Sequence, residues 1–136
     1  MSDSISGGTV RSGYWIERAE YDLETARAML QTGRYLYVGF MCQQTVEKAL
    51  KAVIAKGGAF PPKIHDLVRL AELGNLSSIL SDDQNHLLDE LYPLSIEARY
   101  PSHKEMLAQT LNKHTCAEYI IKTEAMLQWI QEKLSH

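Results

Sequence analysis

Apolar residues recur at alternating steps of three and four along most of this chain, a spacing that only an α-helix gathers onto one side. In the C-terminal part Cys116, Ile120, Thr123, Leu127, Ile130 and Leu134 make one such line, suited to packing along neighbouring helices. Ile16, Ala19, Leu23, Ala26 and Leu30 make a second between Tyr14 and Gln31, ended by Gly33. Cys42, Val46, Ala49, Leu50 and Val53 make a third between about Tyr35 and Lys56. No stretch alternates apolar and polar residues for long enough to be a strand, and there is no internal repeat. The pattern predicts an all-α chain.

Punctuation divides these stripes. Gly57-Gly58-Ala59-Phe60-Pro61-Pro62 is read as a loop, because adjacent glycines and prolines do not continue a helix. A short third helix is expected from about His65 to Leu73, with Asp66 capping or complementing its N-terminus and His65 hydrogen-bonding to backbone. Ser81 with Gln84 three residues later fits a capping box, and Asp82 and Asp83 favour the positive end of the helix that starts there. Leu87, Leu91, Leu94 and Ala98 continue that helix, which Pro93 should kink or divide. Arg99-Tyr100-Pro101-Ser102 reads as an extended turn, and the last helix begins between Lys104 and Thr115 and runs to about Leu134. Short connections between long amphipathic helices predict an antiparallel up-and-down bundle of about five helices, akin to a four-helix bundle. With 136 residues and 45% hydrophobic content the chain can bury one sizeable core. Residues 14–136 are therefore expected to form a single domain, preceded by a Ser- and Gly-rich mobile segment, residues 1–13.

Charge and composition exclude several functions. The net charge of −3 comes from 17 acidic and 14 basic residues dispersed along the chain, so any contact with nucleic acid must be local. No apolar run reaches the length of about 20 residues that a membrane span needs, and the first residues lack the apolar block of a signal peptide. A cytoplasmic protein without membrane contact is expected. Cys42 and Cys116 lie far apart with no CxxC spacing and read as reduced core thiols. There is no glycine-rich phosphate loop, zinc-ligand pair or nucleophile elbow, so neither metal nor cofactor is expected.

The stretch CQQTVEKALKAVIAKGGAFPPKIHDLVRL, residues 42–70, resembles the most recognisable segment of HEPN domains: paired glutamines, Glu-Lys, Leu-Lys, a proline-containing loop, then His-Asp-Leu. Ala98-Arg99-Tyr100-Pro101 is similar to the Arg-Tyr-Pro signature found after the fourth helix in many minimal bacterial and archaeal HEPN proteins. With WIERAEYDLETARAML near the start, the resemblance covers roughly Tyr14 to Leu134. It implies a bundle of about five helices, a homodimer, and a minimal nucleotidyltransferase partner encoded alongside it as a toxin–antitoxin pair. It also implies RNA: many HEPN toxins are metal-independent ribonucleases whose motif is an Arg, four to six intervening residues and a His. This sequence departs from that spacing, since three residues separate Arg99 from His103 and fourteen separate it from His114.

Candidate site residues follow from their chemistry. Arg99 can hold a phosphate through its planar guanidinium while Tyr100 offers a ring on which a base stacks; alternatively Arg99 pairs with a carboxylate such as Glu47 and Tyr100 packs under the turn. Were RNA cleaved, Arg99 would stabilise the phosphorane and His103 would act as general acid or base. Gln43, Glu47 and Lys51 stand at successive steps of four, joined by Gln44 and Lys48 in one polar arc on the second helix. That arc is either a ligand groove, with Lys51 on a phosphate and Gln43 on a base edge or ribose, or a solvated face held by Glu47–Lys51 pairing. A nucleotide- or RNA-binding module, an endoribonuclease and a purely structural dimer all fit these residues.

Overall fold

The structure, a computed structural model, describes residues 7–99 and 111–135. The expected helices are α1 (Gly7–Gln31), α2 (Tyr35–Lys56), α3 (Leu67–Leu73), α4 (Asp82–Arg99) and α5 (Lys113–Leu134), with a 3-10 turn at Ser77–Ile79. Local chemistry fixes their ends. Gly33, at φ 74°, takes the left-handed conformation that lets the Arg34 N–H return to the Met29 carbonyl at 2.8 Å and close α1. Asp66 accepts the Arg69 N–H at 3.2 Å and Asn112 that of Thr115 at 2.9 Å, capping α3 and α5. Ser81 and Gln84 form the reciprocal box ahead of α4, with bonds of 3.1 and 2.9 Å.

Pairwise contacts give the topology. Gly8 abuts the Ala55 carbonyl and Trp15 lies under Lys51, so α1 and α2 are antiparallel. Gly39 faces Leu94 while Gly74, ahead of α4, abuts Val53, so α4 runs back along α2. The Cys116 thiol meets the Tyr35 carbonyl at one end and Lys56 Nζ bonds the Leu134 carbonyl at the other, which sets α5 parallel to α2. Four long helices therefore alternate in direction, and α3 lies beside α2. Helix α2 packs against all four of the others. Val38, Cys42, Val46, Ala49 and Leu50 are buried against Leu67, Leu70, Leu88, Leu91, Met126 and Ile130; each large side chain removed from water contributes about 1.5–3 kcal/mol before entropy is counted.

Some boundaries differ from the sequence reading. Helix α1 begins at Gly7 rather than Tyr14, and Gly8 packs against the end of α2 so closely that a Cβ would lie 2.6 Å from the Ala55 carbonyl oxygen. Helix α3 starts at Leu67, two residues late, since Asp66 is the extended N-cap with φ −76° and ψ 106°. Pro93 does not divide α4, which runs through it; the helix forgoes one backbone donor there. Both cysteines are buried free thiols, and burial pushes Cys42 up to about 12 and Cys116 to about 11. No described helix is long and apolar enough to cross a membrane.

Candidate functional site

The polar arc of α2 does not lie on the surface. Gln43, Glu47 and Lys51 are all buried, and with Gln44 and His65 they form one connected network. Glu47 is its centre. Its Oε1 accepts from Gln43 Nε2 at 3.0 Å and stands 2.9 Å from His65 Nδ1, while its Oε2 accepts from Lys51 Nζ at 3.2 Å. Gln43 Nε2 also reaches the His65 carbonyl at 3.4 Å, and its own Oε1 accepts from Gln44 Nε2 at 2.7 Å. The steps of four between Gln43, Glu47 and Lys51 put all three on one line of the helix. The α2–α3 loop delivers His65 to them from 18 residues away.

Burial alone would raise the pKa of Glu47. The hydrogen bonds from Gln43 and His65, with the charge and hydrogen bond of Lys51, outweigh it and hold the carboxyl below its ordinary 4.5. An ionised carboxylate only accepts, so the proton of the shared bond sits on His65 Nδ1. Nε2 is then left for other partners. The geometry is a buried, charge-balanced base that fixes an imidazole whose side chain is 48% exposed, against 5% for Glu47 itself. Such a ring can accept or donate a hydrogen bond at a fixed position, or move a proton. Lys51 Nζ lies 5.5 Å over the Trp15 ring, which ties the network to α1. Beside it Lys48 forms a second, largely buried ion pair with Asp22 of α1.

The expected site residues thus separate into two groups. Gln43, Gln44, Glu47 and Lys51 come together, and the Glu47–Lys51 pairing forms as expected, but inside the protein rather than on a solvated ridge. His65 was expected to bond to backbone; its ring instead bonds the Glu47 carboxylate. No local signal in the sequence links these two residues. Arg99 closes α4, and its side chain, together with Tyr100 and His103, lies outside the described residues. Since Gly39 and Leu94 mark a shared level, the helical rise puts the Arg99 Cα on the order of 20 Å along the bundle from Glu47.

A family model described as the HEPN domain matches residues 12–134. A segment of 44 residues is 48% identical to a Methanocaldococcus jannaschii protein named "Putative toxin MJ1304", over 32% of this chain and 29% of that protein. The chain thus matches less than a third of that relative's length. The crystal structure of TT1696 from Thermus thermophilus superposes with a TM-score of 0.76 at 25% identity, covering 90% of this chain and 98% of that one. A second crystal structure, ST0689, described as an archaeal HEPN homologue, superposes with a TM-score of 0.64 at 24% identity over 91% and 98% of the two chains and speaks to the fold alone.

Proposed function

The chain belongs to the HEPN domain family, and we propose that it is the nucleotide- or RNA-binding, toxin-like component of a toxin–antitoxin-type pair. In this reading it acts in the cytoplasm as a homodimer beside a minimal nucleotidyltransferase. The toxin-like role draws support from the name of the M. jannaschii relative. The ligand claim rests on one observation, the half-exposed His65 ring clamped at 2.9 Å by a buried carboxylate. A ring nitrogen fixed before the ligand arrives loses little entropy on binding a ribose hydroxyl or phosphate oxygen. Gln43 and Glu47 bond His65 directly, Lys51 braces Glu47, and Gln44 braces Gln43. Arg99, the last residue of α4, and Tyr100 are the proposed second contact. A ligand that touches both ends must span about 20 Å, which favours an RNA strand over a mononucleotide. Calorimetric titration of ATP, GTP and short RNA into the protein, with and without its nucleotidyltransferase partner, tests the reading: saturable binding weakened by His65→Ala is expected. No saturable binding under any of these conditions defeats it.

A second reading, metal-independent cleavage of RNA, is favoured by the same pair, because a carboxylate that orients an exposed imidazole is what general acid–base chemistry requires. Cleavage assays on single-stranded and structured RNA decide it. Activity lost in His65→Ala, or in Arg99→Ala and His103→Ala, identifies the acting histidine. RNA left intact by the unmodified protein removes the enzyme reading and leaves binding standing.

A further inference from the structure

Beyond His65, α1 carries a face that the proposed site does not use. Arg11, Tyr14, Trp15 and Arg18 recur at steps of three and four, so they share one side of the helix. The Arg18 guanidinium lies 5.4 Å over the Tyr14 ring, and that of Arg11 lies 4.3 Å over Phe60 in the α2–α3 loop. Tyr14 and Trp15 meet edge to face at 5.9 Å, and Trp15 sits beneath Lys51. Two arginines and the rings of Tyr14 and Phe60 thus interleave on this surface, with half-buried Trp15 between them and the buried Lys51. Tyr14 and Phe60 are not core residues that happen to reach water: they are 56% and 77% exposed.

We infer that this face is a stacking platform for single-stranded RNA, an inference that rests on the nucleic-acid reading above and names the surface that would hold the strand. A ring with a cation over one side keeps its other side for a base, and every base has a π face, so such a surface takes single strands with little regard to sequence. Arg11 and Arg18, seven residues apart and so about 10 Å along the helix, are spaced to neutralise phosphates of a few successive nucleotides. The chain as a whole repels RNA at a net charge of −3, so attraction has to come from a patch of this kind. Duplex RNA hides its base faces and gains nothing from the rings. Trp15 also joins the platform to the His65 network through the buried Lys51 and Glu47.

The test is fluorescence anisotropy on the full chain with labelled oligouridine and a labelled RNA duplex, across a salt series. Oligouridine should bind more tightly than the duplex. Tyr14→Ala and Phe60→Ala should each weaken its binding about tenfold, and Tyr14→Phe, which keeps the ring, should restore it. Arg18→Gln should reduce the slope of log affinity against log salt by about 0.7, the value of one single-strand phosphate contact. Phe60 lies in a loop, so its truncation leaves the helices intact and keeps the result interpretable if a Tyr14 variant fails to fold. Unmodified protein that binds oligouridine equally well with Phe60→Ala, Tyr14→Ala and Arg18→Gln overturns the platform while leaving the ligand reading intact. Absence of oligouridine binding overturns the platform, and retained ATP or GTP binding in the same protein preserves the broader reading. Loss of a protein partner by the ring variants, with RNA binding unchanged, also overturns the platform and makes the face a protein interface.

Discussion

Replacing Lys51 by methionine probes the centre of the site, because it keeps the packed stem and removes only the ammonium. Lys51 and Glu47 expose 8% and 5% of their side chains, so the pair is out of water. Removing one partner of a buried pair costs about 3–5 kcal/mol when the survivor is left uncompensated. Glu47 is not left so, because Gln43 at 3.0 Å and His65 at 2.9 Å still donate to it. The expected loss is therefore that of a single charged hydrogen bond, about 1.5–3 kcal/mol. With an unfolding entropy of about 2.1 cal/mol/K per residue, this lowers Tm by roughly 5–10 °C. Differential scanning calorimetry at neutral pH measures it. The double variant Glu47→Gln/Lys51→Met should be less destabilised than the two single losses summed, since no carboxylate remains to be stranded. A Tm within about 2 °C of the unmodified protein, the behaviour of an exposed ion pair, would mean that water reaches the pair and that the buried base under His65 does not exist.

Three further outcomes follow from the same structure. The ionised Glu47 has a lowered pKa in the fold, so the stability it contributes is present above its ordinary 4.5 and is lost as pH falls through the lower folded value; the Tm gap between the unmodified protein and Glu47→Gln, measured by circular dichroism, should narrow below that pH. Gly8→Ala pushes a methyl to within 2.6 Å of a backbone oxygen that cannot swing aside and should cost about 1–3 kcal/mol in urea unfolding, whereas Gly13→Ala, with nothing within 4 Å of its Cβ, should stabilise α1 by up to about 1 kcal/mol. Cys42 and Cys116, pushed by burial up to about 12 and about 11, should resist alkylation at pH ~8 in the folded protein and react in denaturant, as read by mass spectrometry.

What the sequence made legible was whatever is local. The periodic stripes located α2 at its observed ends, and the Asp66 cap and the Ser81–Gln84 box formed as their chemistry dictates. The start of α1 was missed because Ser and Gly near the terminus read as loop, while the close approach of Gly8 to Ala55, which leaves no room for a side chain, is a contact across the bundle. The α2 arc was misread for the same reason. A helical wheel separates polar from apolar sides, but it does not show that the polar side of a central helix is roofed by Trp15 from α1 and His65 from a loop. The spacing did carry the Glu47–Lys51 bond, which is local, and could not carry His65–Glu47, which is not.

The burial of that network also bears on the choice between a binding module and a purely structural bundle. A core pays for buried charge through desolvation, and apolar replacements of similar volume are often neutral or stabilising. By that rule apolar side chains at positions 43, 47 and 51 can hold α2 against its neighbours about as well as Gln43, Glu47 and Lys51 do. What those replacements could not do is hold an imidazole at 2.9 Å with its outer nitrogen turned away from the carboxylate. Helix α2 places its polar line under a half-exposed histidine, at an edge where Trp15 and the α2–α3 loop meet it. Under the proposed binding function this network has a use, fixing a reachable nitrogen for a ligand; in a purely structural bundle it has none.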